Sequence, residues 1–232
     1  ADADFLTYSD DTDQFYRNYI YQSDNTLSSS DASTGKLPSK INIYAFKTDY
    51  SLPLKKETTF ETGYKISYTK TDNVADYADI IGNVSEPNYD NSNHFKYDEM
   101  INAVYVNFNK SFKRFSFQSG LRLENTLSKG NQLGNVEKLA SKFKNSYTDL
   151  FPTLYLMYKL DSIANHQLVL NYGKRINRPY FQDLNPFMSP LDKFTFYSGN
   201  PYLSPSFSQS LAFSYRYKSN FSTTVSYTNI KD

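Results

Sequence analysis

Cysteine is absent from the 232 residues, which excludes disulfide staples, thiolate metal sites and a cysteine nucleophile. Tryptophan is also absent, and histidine occurs twice, as His94 and His166. No run of about 18 apolar residues is present, so no transmembrane helix is encoded. Charge excess is missing too: 25 basic against 24 acidic side chains give a net charge of +1. That balance removes the electrostatic case for a nucleic-acid partner. The opening Ala1-Asp2-Ala3-Asp4 lacks the basic and apolar regions of a signal peptide. Either a cytoplasmic chain or a piece of a longer one is expected.

What is present is aromatic. There are 22 Tyr and 18 Phe, although only 39% of the chain is hydrophobic. A chain this polar and this rich in Tyr and Phe fits strands with one wet face and one aromatic face.

The alternation bears this out. Phe60, Thr62, Tyr64, Ile66 and Tyr68 interleave with Glu61, Gly63, Lys65, Ser67 and Thr69. Phe115, Phe117, Leu121 and Leu123 interleave with Ser116, Gln118, Gly120 and Arg122, and the stretch from Phe207 to Tyr217 repeats the pattern. Further runs span 44–52, 104–108, 150–160, 168–172 and 221–227, with weaker pieces at 5–8 and 16–21. About ten strands are expected, several of about 10–14 residues. Soluble strands average about 5–6 residues, whereas membrane-spanning strands need about 9–11. Only 135–144 offers a short surface helix.

The expected connections sort by length. Short links fall at 9–12, 54–57, 111–113, 161–165 and 218–220; long ones fall between them, at 24–39, 71–97, 125–147 and 177–204. In an up-and-down sheet alternate links share an end, so all short turns lie at one end and all long loops at the other. A transmembrane β-barrel has this asymmetry, with short periplasmic turns and long extracellular loops. A Greek-key sandwich has no reason for it. The expected fold is all-β: a segment of a large antiparallel transmembrane β-barrel, one domain over 1–232. The small inward set (Gly63, Ser67, Gly120, Ser208, Ser214) suits a wide barrel, and the chain ends just after an alternating run. Strands missing on at least one side are therefore expected.

The most specific text is Arg175-Ile-Asn-Arg178-Pro179-Tyr180, then Leu184-Asn185-Pro186-Phe187, then Gly199-Asn200-Pro201-Tyr-Leu-Ser-Pro205. It resembles the R-x-x-R-P, L-N-P-F and G-N-P-x-L-x-P signatures of the outer membrane β-barrel family of Bacteroidota, which belongs with the TonB-dependent receptors. Lys47-Thr-Asp-Tyr50, Thr62-Gly-Tyr-Lys65, Ala103-Val-Tyr-Val106, Gly120-Leu-Arg-Leu-Glu124 and Leu150-Phe-Pro152 fit in the same order. The resemblance implies a plugged barrel of about 22 strands, placed in the outer membrane and taking up a bulky solute through TonB. The plug domain and the TonB-contacting box are not in this segment, so TonB is a partner by resemblance only. Outer-membrane lipid, an unidentified solute and surface lipoproteins or complex partners complete the expected partners; no nucleic acid and no cofactor are expected.

Several candidate sites follow. Gly199-Asn200-Pro201 reads as a turn needing positive φ, and Arg178-Pro179 ends a strand because Pro lacks an N–H. With Arg175, Asn185 and Pro186 these motifs read as loop scaffold. Tyr180, Phe181, Phe194, Phe196 and Tyr197 are candidate ligand-binding aromatics, able to stack on sugars or a planar chelate, or else to serve as loop packing and an interfacial girdle. Residues 71–99 carry seven acids against Lys96, net −6, and 90–93 group oxygen ligands; calcium is conceivable, a solvated acidic loop the plainer reading. Residues 125–147 carry net +3, able to touch lipopolysaccharide phosphates or simply to be solvated. The two histidines should lie at opposite ends of the barrel, leaving no two-histidine metal site and no Ser-His-acid triad. Lys65, Arg122, Glu124 and Arg216 should line the lumen or hold the plug. No enzyme is expected. The alternatives are a structural or assembly barrel of a surface complex, a barrel-embedded hydrolase, and a soluble carbohydrate-binding β-sandwich. A plug domain and TonB box in the full-length sequence would favour transport over assembly; a monodisperse monomer without detergent would favour the sandwich.

Overall fold

The computed structural model describes residues 1–232 except Asn83, Phe187, Asp192, Lys193, Phe194 and Ser219, together with the side chain of Met188. Among the described residues twelve strands run in order: β1 Asp2–Tyr21, β2 Leu27–Leu54, β3 Thr58–Ile81, β4 Val84–Pro87, β5 Asn93–Ser111, β6 Phe115–Leu133, β7 Ser141–Lys159, β8 His166–Asn177, β9 Met188–Pro190, β10 Phe196–Ser198, β11 Ser206–Tyr217 and β12 Phe221–Lys231. No helix occurs among the described residues. All but β9 and β10 belong to one antiparallel sheet, β1-β2-β3-β5-β6-β7-β8-β11-β12, with β4 hairpinned onto β3. It is a segment of a barrel wall.

Alternation sets the two faces. The outward rows are apolar, as in Thr48–Tyr64–Val104–Leu123–Leu150 and Leu154–Tyr172–Leu211–Tyr227, each read straight through the register. Val104, Leu121, Leu123, Leu150, Leu211 and Phe213 are 42–49% exposed. An oily face without protein cover, on strands long enough to cross a bilayer, is the pattern of lipid contact. Phe5, Tyr44 and Tyr68 form an aromatic row at the upper rim of this band, with ring centroids 5.0 and 6.2 Å apart. The hydroxyl-bearing rings of Tyr44 and Tyr68 suit the interface.

Strand length divides the wall. β1, β2, β3, β5, β6 and β7 have 19 to 28 residues, while β8, β11 and β12 have 11 or 12. A 19-residue strand is roughly 63 Å long, about 45 Å in height at the usual tilt, against an apolar band of about 25 Å. The first group stands well above the bilayer; the second just spans it.

That height corrects the loop boundaries expected from sequence. Residues 9–12 are not a turn: β1 is continuous, with Asp10 opposite Ser39 and Thr12 opposite Leu37. Residues 27–39, 71–81, 93–97, 125–133 and 141–147 are strand, not loop. Above the bilayer both faces meet water, so polar side chains no longer signal the end of a ladder. The helix expected at 135–144 is also absent. Asn135 Oδ1 accepts the N–H groups of Glu137 (2.9 Å) and Lys138 (2.8 Å), forming a turn that leads into β7. The sorting of links by end survives. Links 55–57, 112–114, 160–165 and 218–220 lie at one end; 22–26, 82–92, 134–140 and 178–205 lie at the other. At the first end Lys56 and Glu57 take positive φ to close the turn.

Glycines shape the inner face. Gly35 is opposite Tyr77, Gly63 opposite Tyr105 and Gly130 opposite Phe143. In each pair a Cβ on the glycine would overlap the partner's ring. The aromatic lies flat over the gap that glycine leaves, so these positions make flat ring-paved wall as well as room.

Candidate functional site

The long link 178–205 carries most of the expected motifs, and it does not stand out into solvent. Its described residues fold back against the inner face of the tall strands as a strap. Its first fixed point is Arg178. The Arg178 guanidinium donates to Glu124 Oε1 and to Thr126 Oγ1, the latter at 3.1 Å from Nη2 and 3.3 Å from Nε. Arg122 Nε lies 3.2 Å from the other oxygen of the same carboxylate. Glu124 and Thr126 are 8% and 1% exposed. A buried carboxylate needs paired charge, and here two guanidiniums supply it. Burial works against the Arg178 charge and pulls its pKa below the usual arginine value.

The second fixed point is apolar. Leu184, 3% exposed, packs with Phe95 and Tyr97 of β5, and Phe143 and Phe181 close around them. Phe95 and Phe143 stack with centroids 6.3 Å apart, and Phe143 can lie inward because Gly130 opposite it has no side chain. Turn hydrogen bonds from Asp183, Leu184 and Asn185 to Tyr180, Phe181 and Gln182 hold Leu184 in place.

The third element ties the motifs together. Gly199 N–H donates to Asn185 O (2.8 Å) and Asn200 N–H to Asp183 O (2.6 Å). A Cβ at Gly199 would sit 2.5 Å from both carbonyl oxygens, so close approach of two backbones is what requires glycine there. Its φ is not among the positive values, which differs from the turn expected at Gly199; Asn200 instead caps Tyr202 N–H through its side chain at 2.9 Å. Asn145 of β7 donates to Pro201 O (3.3 Å), and Asn93 reaches Asn185 Oδ1 at 3.4 Å.

Of the five expected ligand-facing aromatics, the four that the structure describes are dispersed. Phe181 is half-buried in the Leu184 cluster, with Tyr180 beside it and 57% exposed. Phe196 lies across the lumen side near Tyr16, Tyr77 and Ile80, lining a cleft with Pro190. Tyr197 is 43% exposed and donates to Asp183 at 2.5 Å, which raises its hydroxyl above the usual phenol range. Phe194 and Phe187 lie outside the described residues. Arg175 lines the mid-height inner groove with Lys47, Lys65, Arg122 and Lys174.

Between strap and wall a cleft of roughly 610 Å³ is lined by Tyr97, Glu99, Tyr147, Asp149, Arg178 and Tyr202. Tyr97 donates to Glu99 at 3.0 Å. Phenols, a carboxylate and a guanidinium give this cleft donors, acceptors and ring faces together. Phe95, Tyr97, Thr126, Phe143 and Lys174 are residues of this candidate site that sequence reasoning missed. The inward glycines opposite aromatics were the available signal for Phe143.

One gap in the wall lies beside this cleft. The β7–β8 ladder runs only from Lys159–Gln167 up to Thr153–Gly173. It stops next to Pro152, which has no N–H to donate. Lys174 fills the opening: Nζ is 3.2 Å from Asp149 Oδ1, and it lies over the rings of Phe151 (5.5 Å) and Phe207 (4.7 Å).

The histidines lie at opposite ends. His94 meets Asp72 at 2.6 Å, and His166 meets the Tyr215 hydroxyl at 2.7 Å. The acids of 71–99 are spread over both faces of β3 and β5, with Glu86 on β4 and Asp90 in the link after it, and no cluster of three metal-capable side chains occurs among the described residues.

Comparison with known proteins agrees with this architecture. No curated protein sequence matches. Among solved structures, the ferric yersiniabactin uptake receptor FyuA from Yersinia pestis matches with 13% identity and TM-score 0.62, over 99% of this chain and 36% of that one. The copper transporter OprC matches with 12% identity and TM-score 0.58, over 99% and 36%. The Serratia marcescens hemophore receptor HasR, solved with its hemophore HasA and heme, matches with 11% identity and TM-score 0.55, over 98% and 40%. These neighbours are TonB-dependent receptors, and the chain spans little more than a third of their length. A sequence profile of the outer membrane protein beta-barrel family matches residues 1–232. With a lipid-facing belt, an up-and-down antiparallel wall and that whole-chain match, the chain belongs to the outer membrane protein beta-barrel family and its place is the outer membrane.

Proposed function

We propose that this chain is part of the wall of a receptor and transporter that takes up a large solute, energised through TonB. The observation that carries the proposal is the strap. The described residues of 178–205 fold onto the inner face at Arg178 and Leu184 and leave a polar, aromatic cleft facing the lumen. A barrel needing only to be a scaffold gains nothing from a loop turned into its own interior. Two of the neighbours support a bulky solute, a ferric chelate for FyuA and heme with a hemophore for HasR, whereas OprC is a copper transporter. The solute would meet Tyr97, Tyr147, Arg178 and Tyr202, and the exposed Tyr180, Phe196 and Tyr197 would extend that contact. Surface lipoproteins or other complex partners would sit on the tall rim.

The test is uptake by cells producing the intact protein, with and without TonB, using ferric chelates, heme and copper complexes as cargo. Accumulation of one cargo that disappears without TonB, and falls in Arg178→Ala, supports the reading. Equal accumulation in cells with and without the protein, combined with loss of a surface complex when it is deleted, assigns the assembly role instead.

A further inference from the structure

The wall is open above the Lys174–Asp149 contact, and the side of β7 that faces the opening carries an ordered row of main-chain groups. At the foot of β7, Lys159 N–H donates to Arg114 O and the next residue, Leu160, donates to His166 O. Odd-numbered residues of β7 therefore turn their main-chain groups to β6, and even-numbered ones turn theirs to the β8 side. The β6–β7 register runs without a shift from Phe115–Tyr158 to Gln132–Ser141, which carries that alternation up the strand. The N–H and C=O groups of Lys142, Lys144, Ser146 and Thr148 thus point into the opening. Among the described residues no ladder or turn bond reaches them. Pro152 belongs to the same even-numbered series, so the N–H it lacks is one that β8 would have used. The strap does not complete the ladder. It meets this stretch through a side chain, Asn145 Nδ2 donating to Pro201 O at 3.3 Å, and Pro201 and Pro205 have no N–H to give. Between them lies the cleft already described, with Lys144 to Tyr147 on one side and Tyr202 to Pro205 on the other.

We propose that this opening receives an extended, acidic segment of a partner polypeptide, which adds to β7 as an antiparallel strand. The inference does not depend on the transport reading. Donors and acceptors alternating at strand spacing are matched along their whole length only by another extended main chain. Charge selects which chain. Lys142 and Lys144 are exposed on the outward face of this edge, and their neighbours across β6 are Asn131 and Lys129. Asp98 faces Lys129 from β5, one strand further away. Among the described residues neither Lys142 nor Lys144 enters an ion pair. In an antiparallel pair the residue opposite Lys144 turns its main chain to β7 and its side chain outward, so a carboxylate there meets the ammonium group. A second copy of this edge would set lysine against lysine and is disfavoured. A segment held in the wall by a ladder stays there, which suits a partner and not a solute that has to pass.

The test is binding of a labelled hexapeptide, acetyl-Thr-Glu-Thr-Glu-Thr-Glu-amide, to the intact protein in detergent, followed by fluorescence anisotropy. Ser146→Pro removes one N–H that faces the opening and none that bonds to β6. It should weaken binding about tenfold while the melting temperature stays that of the wild type, and Ser146→Ala should bind normally. Lys142→Glu with Lys144→Glu should reverse the preference towards the same peptide with Lys in place of Glu. The peptide itself supplies a second readout that leaves the protein unaltered. N-methylation at every Glu blocks the amides that face β7 and should abolish binding; N-methylation at every Thr should leave it intact. Equal binding of the two methylated peptides overturns the inference, as does failure of the wild type to bind the unmethylated one at millimolar concentration. TonB-dependent import of the peptide by cells would make it cargo and overturn the assignment to a partner.

Discussion

The tall strands β1, β2, β3, β5, β6 and β7 and the trio β8, β11 and β12 are made from the same alternating text but end at different heights. In the short trio the middle of the outward face is apolar, with Leu168, Leu170, Leu211, Phe213 and Val225, and polar residues such as Gln209 and Asn229 share that parity towards the upper end. In the tall group the same parity passes from Val104 and Leu123 through Tyr68 into lysines and aspartates. The bilayer therefore sets where apolar alternation stops, but hydrogen bonding sets where the strand stops. The tall ladders continue because neighbours of equal height satisfy their main-chain groups. The short trio hands its chain to the strap, which covers the inner face that its own height leaves bare.

The largest expected effects test whether one hydrocarbon layer crosses both halves at one level. Leu121→Arg in the tall half and Phe213→Arg in the short half should each cost about 2–4 kcal/mol, read by denaturant unfolding in lipid bilayers. Ser67→Arg and Gln118→Arg, on the inner face, should cost far less. Phe15→Arg, outward but above the belt, should stay within about 0.5 kcal/mol. A Phe15 cost matching that of Leu121 would erase the distinction in height. Next in size is the strap's hold on the tall wall. Leu184→Ala should cost about 2–3 kcal/mol and show as faster protease cleavage within 178–205 while the wall stays resistant. Cleavage at the wild-type rate would mean the Leu184 contact does not hold the strap.

Glycines sharpen the contrast at a smaller scale. Gly130→Ala would push against the Phe143 ring and should cost about 1–2 kcal/mol. Gly173→Ala in the short half meets only Thr153 Cγ2, at 4.0 Å, and should be close to neutral by the same unfolding assay. The smallest effect lies at the top of the β1–β2 hairpin. Thr26 hydroxyl and amide hydrogen bonds hold the Asp24 carboxyl below its usual pKa. A lowered folded-state pKa stabilises above the unfolded value of about 3.9 and loses that contribution as pH falls through the folded one. Deuterium exchange of residues 22–26, measured relative to Asp24→Asn, should rise only at that acid end. A flat ratio would remove Asp24 from the turn.

Much of the wall was legible because a bilayer imposes period-two alternation on any strand that crosses it. Tyr64, Leu121 and Phe213 announce their face without a partner being known. The short turns were legible for a related reason: Lys55-Lys56-Glu57 interrupts two apolar runs. Strand above the bilayer was not legible, since residues such as Asp10, Thr12 and Ser39 are polar whether paired or free. The strap was the hardest part. Its motifs mark Arg178, Leu184 and Gly199 as special, but the surfaces that receive them, Glu124 and Thr126 on β6 and Phe95 on β5, lie far away in sequence. Only register brings Phe143 and Gly130 together.

The missing N–H at Pro152 has a mechanical consequence. A sheet resists shear through its cross-strand bonds acting together, and it tears where fewest must break. Along β6 and β7 those bonds extend from Phe115–Tyr158 to Gln132–Ser141, but along β7 and β8 they begin at Lys159–Gln167 and cease at Thr153–Gly173. Pulled apart by an atomic-force tip, this wall should rip along that line first, with the Lys174–Asp149 contact as the last stitch above the tear.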